Sequence, residues 1–366
     1  MKLQTFHPES VLMTQTTTSE RLVSSRSIQK TTPKALPMVI SLFSGAGGLD
    51  WGFHYHGFKI PLAIDVSAAA IKTHKRNFRN SHGVVADLIQ LGPSGVLEKV
   101  AEQIPAGTRI GVIGGPPCQG FSRANANSQA NDPRNRLPAL YIDIVKTLKQ
   151  HYTVEFVVFE NVLGIRDKKH AVTYKALVDG LAALDFSVTE KELCALDFGV
   201  PQNRRRIVLS AMRAAQGYSM VKPRKQKGIS TVREAIGEIS EPVFFQRALV
   251  PSDIPIHPNH WTMRPKSPRF NKPETIHPGS RSFKRLVWEE PSPTVAFGHR
   301  EIHVHPNGRR RLSIFEAMLL QGFPKSFVLE GNLSEQVEQV SNAVPPPLAR
   351  SIAAAIKRAL AETDHG

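Results

Sequence analysis

The sequence predicts an α/β protein with a doubly wound parallel sheet, joined to a basic region of different character. Short apolar runs of strand length recur through the first half of the chain, and helical stretches separate most of them. Buried strands that alternate with helices are typical of a parallel sheet covered on both faces. This alternation stops near residue 213 and returns close to the C terminus.

Six apolar runs are predicted to be strands. In chain order they are PMVISLF from Pro37, KIPLAID, GVVADL, RIGVIGG, EFVVFEN and RRIVLSAM, the last over 205–212. A helix is predicted directly after the first strand, and further helices are predicted over 67–78, 137–150 and 174–185. A final helix over 345–362 opens with prolines and is expected to pack back on the first domain.

The charge balance favours a polyanionic partner. The chain carries 47 Lys and Arg against 31 Asp and Glu, a net charge of +16, which favours nucleic acid over a merely basic soluble protein. No apolar run approaches the roughly 20 residues that a membrane span needs. The two cysteines are too few for a disulfide framework or a cysteine-rich zinc site, and a reducing compartment is the natural interpretation.

Composition also divides the chain into three parts. Residues 1–36 are rich in Ser, Thr and Gln and predict a disordered leader, for which a plain flexible tail is preferred over a transit peptide. Residues 37–212 with 326–366 form the predicted α/β domain. The segment 213–325 holds 19 Lys and Arg against 9 Asp and Glu and predicts a basic inserted domain. Its histidines lack a repeated ligand spacing, so we expect solvated or capping roles and no metal site.

A glycine cluster follows the first strand, at Gly45, Gly47 and Gly48. It is not the dinucleotide fingerprint, because the third glycine of that motif would fall on Asp50, and a pyrophosphate cofactor is therefore disfavoured. An ordinary tight turn is the alternative. The second and third strands end at acidic residues that could bind a ribose and an adenine amino group. These are Asp65 and Asp87. Together they favour an adenosine without phosphates, and S-adenosylmethionine fits best.

Cys118 lies in GGPPCQGFS, a loop in which two prolines fix the backbone after a predicted strand. Such a loop could present a thiolate nucleophile, and a buried structural cysteine is the alternative. Glu160 ends the next predicted strand and could exchange a proton if burial raises its pKa. A helix-capping acid is the alternative for Glu160.

The segment GVPQNRRRIVL places Gln202, Arg204 and Arg206 on one face of a predicted strand, because alternate residues share a face. Arg205 is expected to face the other way. Two guanidinium groups and an amide on one face suit phosphate and carbonyl oxygens. A solvated basic strand is the alternative.

Taken together, these motifs resemble the DNA (cytosine-5) methyltransferases of bacterial restriction–modification systems. The resemblance runs from about residue 38 to 356 and includes six motifs in the family's order. They are FSGAGG, GPPCQGFS, ENV, PQNRRR, RRLSIFEAMLLQGFP and NAVPPPLA. The resemblance implies a Rossmann-like S-adenosylmethionine-dependent domain, with the basic segment as a target-recognition domain inserted before the C-terminal helix.

The resemblance also implies roles for the catalytic residues. Cys118 would be the nucleophile and Gln119 would lie in the mobile catalytic loop. Glu160 would act at the cytosine N3, Arg206 would hold the cytosine O2, and Arg204 would lie near the DNA backbone.

The implied cofactor site is larger. Phe43 would lie against the adenine, Asp65 would bind the ribose and Asp87 the adenine amino group, with Asn342 and Ala343 closing the pocket. The complete set is Phe43, Ser44, Gly45, Gly47, Gly48, Asp65, Val66, Asp87, Leu88, Pro117, Leu137, Asn342 and Ala343. Two positions depart from the family pattern: Asp65 replaces the frequent Glu, and Ser341 replaces the usual Gly.

The implied activity is methyl transfer from S-adenosylmethionine to carbon 5 of a cytosine flipped out of a specific double-stranded DNA sequence, through a covalent Cys118–carbon 6 adduct. A tRNA cytosine-5 methyltransferase and a non-catalytic DNA-binding relative remain alternatives. Candidate guanine or phosphate contacts are Arg264, Arg269, Arg281, Lys284 and Arg285. We expect a cytoplasmic bacterial monomer associated with the nucleoid, with no membrane contact and a possible cognate restriction endonuclease.

Overall fold

The computed structural model describes residues 35–117, 121, 136–214, 223–225, 227–228, 230–278, 283–294 and 303–363. Most of the predicted leader, residues 1–34, lies outside the described residues. Cys118 and Gln119 also lie outside them, as does Arg281.

A seven-stranded sheet forms the centre of the fold. Its strands are β1 (Met38–Leu42), β2 (Leu62–Asp65), β3 (His82–Val85), β4 (Arg109–Gly114), β5 (Thr153–Asn161), β6 (Phe186–Cys194) and β8 (Arg205–Arg213). The short strand β7 (Gln202–Asn203) lies outside this sheet. The strand order is β3-β2-β1-β4-β5-β8-β6. All six predicted strands are therefore present.

The helices confirm the predicted alternation. They are α1 (Gly48–Tyr55), α2 (Ala68–Asn77), α3 (Leu88–Ala101), α4 (Leu137–His151), α5 (Ala171–Ala183), α6 (Val232–Ile236), α7 (Ile314–Leu320), α8 (Leu333–Asn342) and α9 (Pro346–Thr363). Helix α3 was not predicted; it contains Gly92 and Pro93 and is kinked at Gly92. These two residues interrupt the helical pattern that would otherwise have identified it.

The direction of the last predicted strand corrects the expectation of a purely parallel sheet. Strands β1 to β5 are parallel, but β8 pairs antiparallel with both β5 and β6. The sequence analysis missed β6, whose residues alternate between exposed and more buried positions instead of forming an apolar run. Because β8 is reversed, it begins at the edge where β4 and β5 end.

Apolar clusters cover both faces of the sheet. One joins the sheet to α3, α4 and α5, and the other joins it to α1 and α9. The contact between α1 and α9 is so close that a Cβ atom on Gly52 would lie 2.2 Å from the carbonyl carbon of Ala349. The final helix thus packs on the first part of the fold, as expected.

The described part of the basic segment has little regular structure. It contains β9 (Val243–Phe244) paired with β10 (Trp261–Thr262), and β11 (Ser292–Pro293) paired with β7. A third apolar cluster joins α6, α7 and α8 with Phe78 and so crosses residue 325, where the sequence placed a boundary. None of the helices that the structure describes is long and apolar enough to cross a membrane.

The histidines of this segment differ in part from the expectation of solvated or capping side chains. His257 and His260 are 4% and 1% exposed, and His305 is also buried. Burial lowers the pKa of His257 to about 4, although its hydrogen bond with the Phe327 carbonyl oxygen opposes this. Within the described ranges, no group of three His, Cys, Asp or Glu residues could hold a metal ion.

Candidate active site

A cavity of about 440 Å³ opens at the carboxyl edge of β1, β2, β4 and β5. This volume is typical of a small-molecule site. Twelve of the thirteen predicted cofactor residues line it: Phe43, Ser44, Gly45, Gly48, Asp65, Val66, Asp87, Leu88, Pro117, Leu137, Asn342 and Ala343. Three of the predicted catalytic residues, Glu160, Arg204 and Arg206, line it too.

Gly47 is the predicted cofactor residue that does not line the cavity. Its φ of 92° turns the chain into α1, and a Cβ atom there would lie 2.4 Å from the Phe78 ring. Gly47 therefore permits close packing beneath the loop. Gly48 has a different role, because a Cβ atom on it would lie 2.4 Å from the carbonyl oxygen of Val344, which also lines the cavity.

Asp65 organises the floor of the cavity. One carboxylate oxygen accepts a hydrogen bond from the backbone N–H of Gly45 and the other from that of Ser67, both at 2.8 Å. Burial raises the pKa of Asp65, and the two N–H groups oppose that rise. A carboxylate oxygen can accept more than one hydrogen bond, so Asp65 keeps the capacity to bind a diol.

Asp87 lies beyond the end of β3, where it caps α3. Its side chain accepts a hydrogen bond of 2.9 Å from the N–H of Ile89. Two apolar side chains at the cavity wall are unusually exposed, Val66 at 67% and Ile89 at 52%. Exposed apolar side chains beside a carboxylate suit a flat, partly polar ring such as adenine.

The cavity wall also contains a buried hydroxyl that lacks a protein partner. Ser44 is 8% exposed, and its Oγ atom makes no hydrogen bond within the described residues. A buried polar group normally has a partner, so this hydroxyl favours a polar ligand in the cavity. The cavity volume, the two acids and this hydroxyl fit S-adenosylmethionine.

Glu160 and Arg206 form a buried ion pair in the same cavity. Arg206 Nε lies 2.9 Å from Glu160 Oε1, and the two residues are 9% and 7% exposed. Burial raises the pKa of Glu160, and the nearby guanidinium groups of Arg206 and Arg204 lower it. Gly115 allows the carboxyl group to approach, because a Cβ atom there would lie 2.9 Å from Glu160 Oε2.

The residues on either side of Cys118 contact neighbouring elements, although Cys118 and Gln119 lie outside the described residues. Asn161 Nδ2 donates a hydrogen bond of 3.1 Å to the carbonyl oxygen of Pro116. On the other side, the buried Phe121 ring packs edge-on against His170, with ring centroids 4.8 Å apart.

Alternation along the GVPQNRRR segment is confirmed, and Arg204 has hydrogen-bond partners that the sequence did not predict. Gln202, Arg204 and Arg206 are all buried, and Arg205 is exposed. Arg204 is 1% exposed, and its Nη2 atom donates hydrogen bonds to backbone carbonyl oxygens in the C-terminal wall. The expected position of Arg204 near the DNA backbone stays a prediction.

Three residues of the site were missed by the sequence analysis. Ile89 forms an exposed apolar wall, Asn161 contacts the Pro116 carbonyl, and Gln321 contacts Ala343. Asn161 lies in the ENV motif and Gln321 in the motif that ends LLQGFP. The motifs therefore pointed to both residues, although no role was assigned to either. Ile89 had no signal beyond its position after Asp87.

The candidate guanine or phosphate contacts lie in varied surroundings. The guanidinium groups of Arg264 and Arg269 stack on Phe244 and Phe283 at 5.0 and 4.9 Å from the ring centroids. Arg285 Nη1 donates a hydrogen bond to the carbonyl oxygen of Pro273.

Comparison with known proteins shows the family of the chain. The family model for C-5 cytosine-specific DNA methylase matches residues 37–358. Type II methyltransferase M.MthTI of Methanothermobacter thermautotrophicus is 31% identical, over 88% of this chain and 97% of that protein. Type II methyltransferase M1.HphI of Haemophilus parahaemolyticus is 32% identical, over 87% and 86%. A proposed DNA modification methyltransferase encoded within an E. coli prophage shares the fold, with a TM-score of 0.73 and 24% identity over 89% of this chain and 99% of that one.

Proposed function

The chain belongs to the C-5 cytosine-specific DNA methylases and is a DNA (cytosine-5) methyltransferase, and we propose that it methylates carbon 5 of a cytosine flipped out of a specific double-stranded DNA sequence. The observation that carries the proposal is the shared cavity. It joins a pocket suited to S-adenosylmethionine to the buried Glu160–Arg206 pair. Carbon 5 is inaccessible in stacked duplex DNA, so the base must leave the helix to reach this pair.

Each polar side chain of the cofactor site has a proposed contact with S-adenosylmethionine. Asp65 would bind the ribose hydroxyls and Asp87 the adenine amino group, with Val66 and Ile89 at the adenine. Ser44 would donate or accept a hydrogen bond through its hydroxyl. When bound, S-adenosylmethionine supplies the electrophilic methyl group.

The chemistry begins at Cys118, assigned as nucleophile from its motif. Its thiolate adds to carbon 6 of the cytosine, and the ring electrons move toward N3 and O2, which makes carbon 5 electron-rich. Glu160 would donate a proton or hydrogen bond at N3, and Arg206 would stabilise negative charge on O2. After carbon 5 is methylated, a base takes the proton on carbon 5 and any proton donated at N3 returns to Glu160. The electrons of the broken C–H bond then expel the Cys118 thiolate and restore the aromatic ring.

The pKa of Glu160 suits this role. A carboxyl group can donate a proton or hydrogen bond at N3 only when it is protonated. Burial raises the Glu160 pKa and so favours the protonated form. The guanidinium group of Arg206 opposes this rise in the Glu160 pKa. Replacing Glu160 with Gln is expected to lower kcat by about 10²- to 10⁴-fold, the usual contribution of acid–base catalysis.

We also propose that residues 213–325 form the target-recognition domain and that 37–212 with 326–366 form the catalytic domain. The positive charge of the inserted segment supports this, with Arg264, Arg269, Lys284 and Arg285 as candidate DNA contacts. The Type II names of the relatives favour a cognate restriction endonuclease acting on the same sequence. We expect a monomer that works at the nucleoid in the bacterial cytoplasm, because that is where its DNA substrate would lie.

The test is methylation of plasmid DNA with S-adenosylmethionine, followed by bisulfite sequencing. The proposal expects complete protection of one cytosine within one recurring sequence. A parallel reaction on unmodified tRNA examines the alternative substrate. Methylation of tRNA without methylation of plasmid DNA, or of a base other than cytosine, would overturn the proposal.

A further inference from the structure

We propose that Arg204 is a positioning residue, which fixes the C-terminal wall of the cofactor pocket and joins it to the Glu160–Arg206 pair, instead of contacting DNA phosphates. This inference rests on the proposed function, because it assigns a task within that same cavity. It assigns Gln321 to the same task.

The contacts of Arg204 point to the wall. Its Nη2 atom donates hydrogen bonds of 2.8 Å to the carbonyl oxygen of Ser341 and 3.0 Å to that of Ala343. These two carbonyl groups flank Asn342, the exposed residue that closes the cavity at the end of α8. A cation near the C-terminal carbonyls of a helix is also favoured by the helix dipole. One guanidinium group therefore sets the path of the chain on both sides of Asn342.

A second group reaches the same carbonyl oxygen from another element. Gln321, at the end of α7, donates a hydrogen bond of 2.7 Å from Nε2 to the Ala343 carbonyl oxygen. Gln202 in turn donates a hydrogen bond of 2.6 Å to Gln321 Oε1. All these side chains are buried, at 0% exposure for both glutamines. The network thus joins β7, α7 and the end of α8 within one closed polar cluster.

The same arginine acts on the other half of the cavity. Arg204 precedes Arg206 by two residues and lies close enough to Glu160 to lower its pKa. A side chain that is 1% exposed and donates to two backbone carbonyl oxygens has little surface left for a phosphate contact. The geometry therefore favours a link between the C-terminal wall of the cofactor pocket and the Glu160–Arg206 pair.

The two possible roles of Arg204 predict different measurements. A phosphate contact would leave cofactor affinity intact, and its loss would reduce the slope of log K against log salt by about 0.9. The positioning role predicts the reverse: weaker cofactor binding without DNA present, and an unchanged salt slope.

The experiment uses the full chain with Arg204→Met, Arg204→Lys and Gln321→Met, and Arg205→Met as the matched control. Arg205 is the exposed neighbour and pairs with Glu192 on the surface. Cofactor affinity is measured by calorimetry with S-adenosylmethionine alone, and DNA affinity at several salt concentrations. We expect about tenfold weaker cofactor binding for Arg204→Met and Gln321→Met, an intermediate value for Arg204→Lys, and no change for the control.

A pH profile separates positioning from a general loss of stability. Arg204→Met should move the alkaline limb of kcat to higher pH, because one of the cations that lower the Glu160 pKa is gone. Gln321→Met removes no charge and should leave that limb unmoved. If Arg204→Met does not fold, the Arg204→Lys and Gln321→Met variants still test the cofactor wall.

Unchanged cofactor affinity in both Gln321→Met and the folded Arg204 variants would overturn the inference, as would a reduced salt slope for Arg204→Met with intact cofactor binding. Failure of the unsubstituted protein to bind S-adenosylmethionine is a different result. That outcome would refute the proposed function itself, and the inference with it.

Discussion

Replacing Arg206 with methionine is expected to lower the free energy of unfolding by about 3–5 kcal/mol near pH 8, because it leaves a buried carboxylate without its partner. The structure supports a value in that range. Arg206 and Glu160 are 9% and 7% exposed, and their charged atoms are 2.9 Å apart. Methionine keeps much of the apolar packing, so the loss reports mainly on the uncompensated charge.

The same variant should depend strongly on pH. Burial raises the Glu160 pKa above its ordinary value of 4.5, and removal of Arg206 takes away the larger of the two cationic influences that oppose the rise. A carboxyl group with a raised folded-state pKa contributes stability that is fully present below its unfolded pKa and is lost as the pH rises through the folded pKa. The destabilisation by Arg206→Met should therefore be smaller near pH 5 than near pH 8.

The assay is urea denaturation of the unsubstituted protein and the variant at both pH values, with Arg205→Met as the control. Arg205 is the adjacent exposed residue in a surface ion pair with Glu192, and its replacement should change the unfolding midpoint little. A loss below about 1 kcal/mol at both pH values would refute the buried-pair reasoning. An equal loss at both values would refute the assignment of the raised pKa.

Three further predictions concern the cofactor site, the nucleophile and the DNA. Cys118→Ala should abolish methyl transfer while cofactor binding survives. Cys194→Ala is the control and should retain activity. Methyl transfer by Cys118→Ala, measured with labelled cofactor, would exclude the covalent route. Gly48→Ala should weaken cofactor binding about tenfold, because its Cβ atom would lie 2.4 Å from the Val344 carbonyl oxygen. Gly45→Ala meets open space at a φ of 53° and should show mainly a backbone strain of about 1–2 kcal/mol; equal cofactor affinity in both variants would contradict the clash. DNA affinity should fall linearly on a log scale with salt, and a flat dependence would contradict the role of the basic segment.

Sequence patterns predicted the fold where burial is uniform. Strands β1, β2, β4 and β5 are mostly buried on both faces, so each reads as a continuous apolar run. Strand β6 escaped detection because it lies at the sheet edge and its exposure alternates. Most site residues were predicted from ordered motifs, and Asp65 and Asp87 from their places at strand ends. Ile89 has no such motif and could be recognised only from its exposure in the cavity wall.

The surroundings of Arg204 and Arg206 could not be read from their shared strand face. Alternation placed both on the same side, and both are buried there. One pairs with the Glu160 carboxylate and the other with carbonyl groups more than 130 residues further along the chain. Contacts over such separations depend on how α8 returns to the sheet, which local pattern does not encode.

By itself the sequence determined six of the seven strands of the central sheet, the acid at the end of β2 and the acid just beyond β3, and the residue types of the ordered motifs. Only the tertiary structure decided that β8 runs antiparallel to β5. In a purely parallel sheet, β8 would begin beside the start of β5. Arg206 would then lie about one strand length away from Glu160, which is at the end of β5. The reversal brings the first residues of one strand beside the last residues of the other, and this places the guanidinium group within 2.9 Å of the carboxylate.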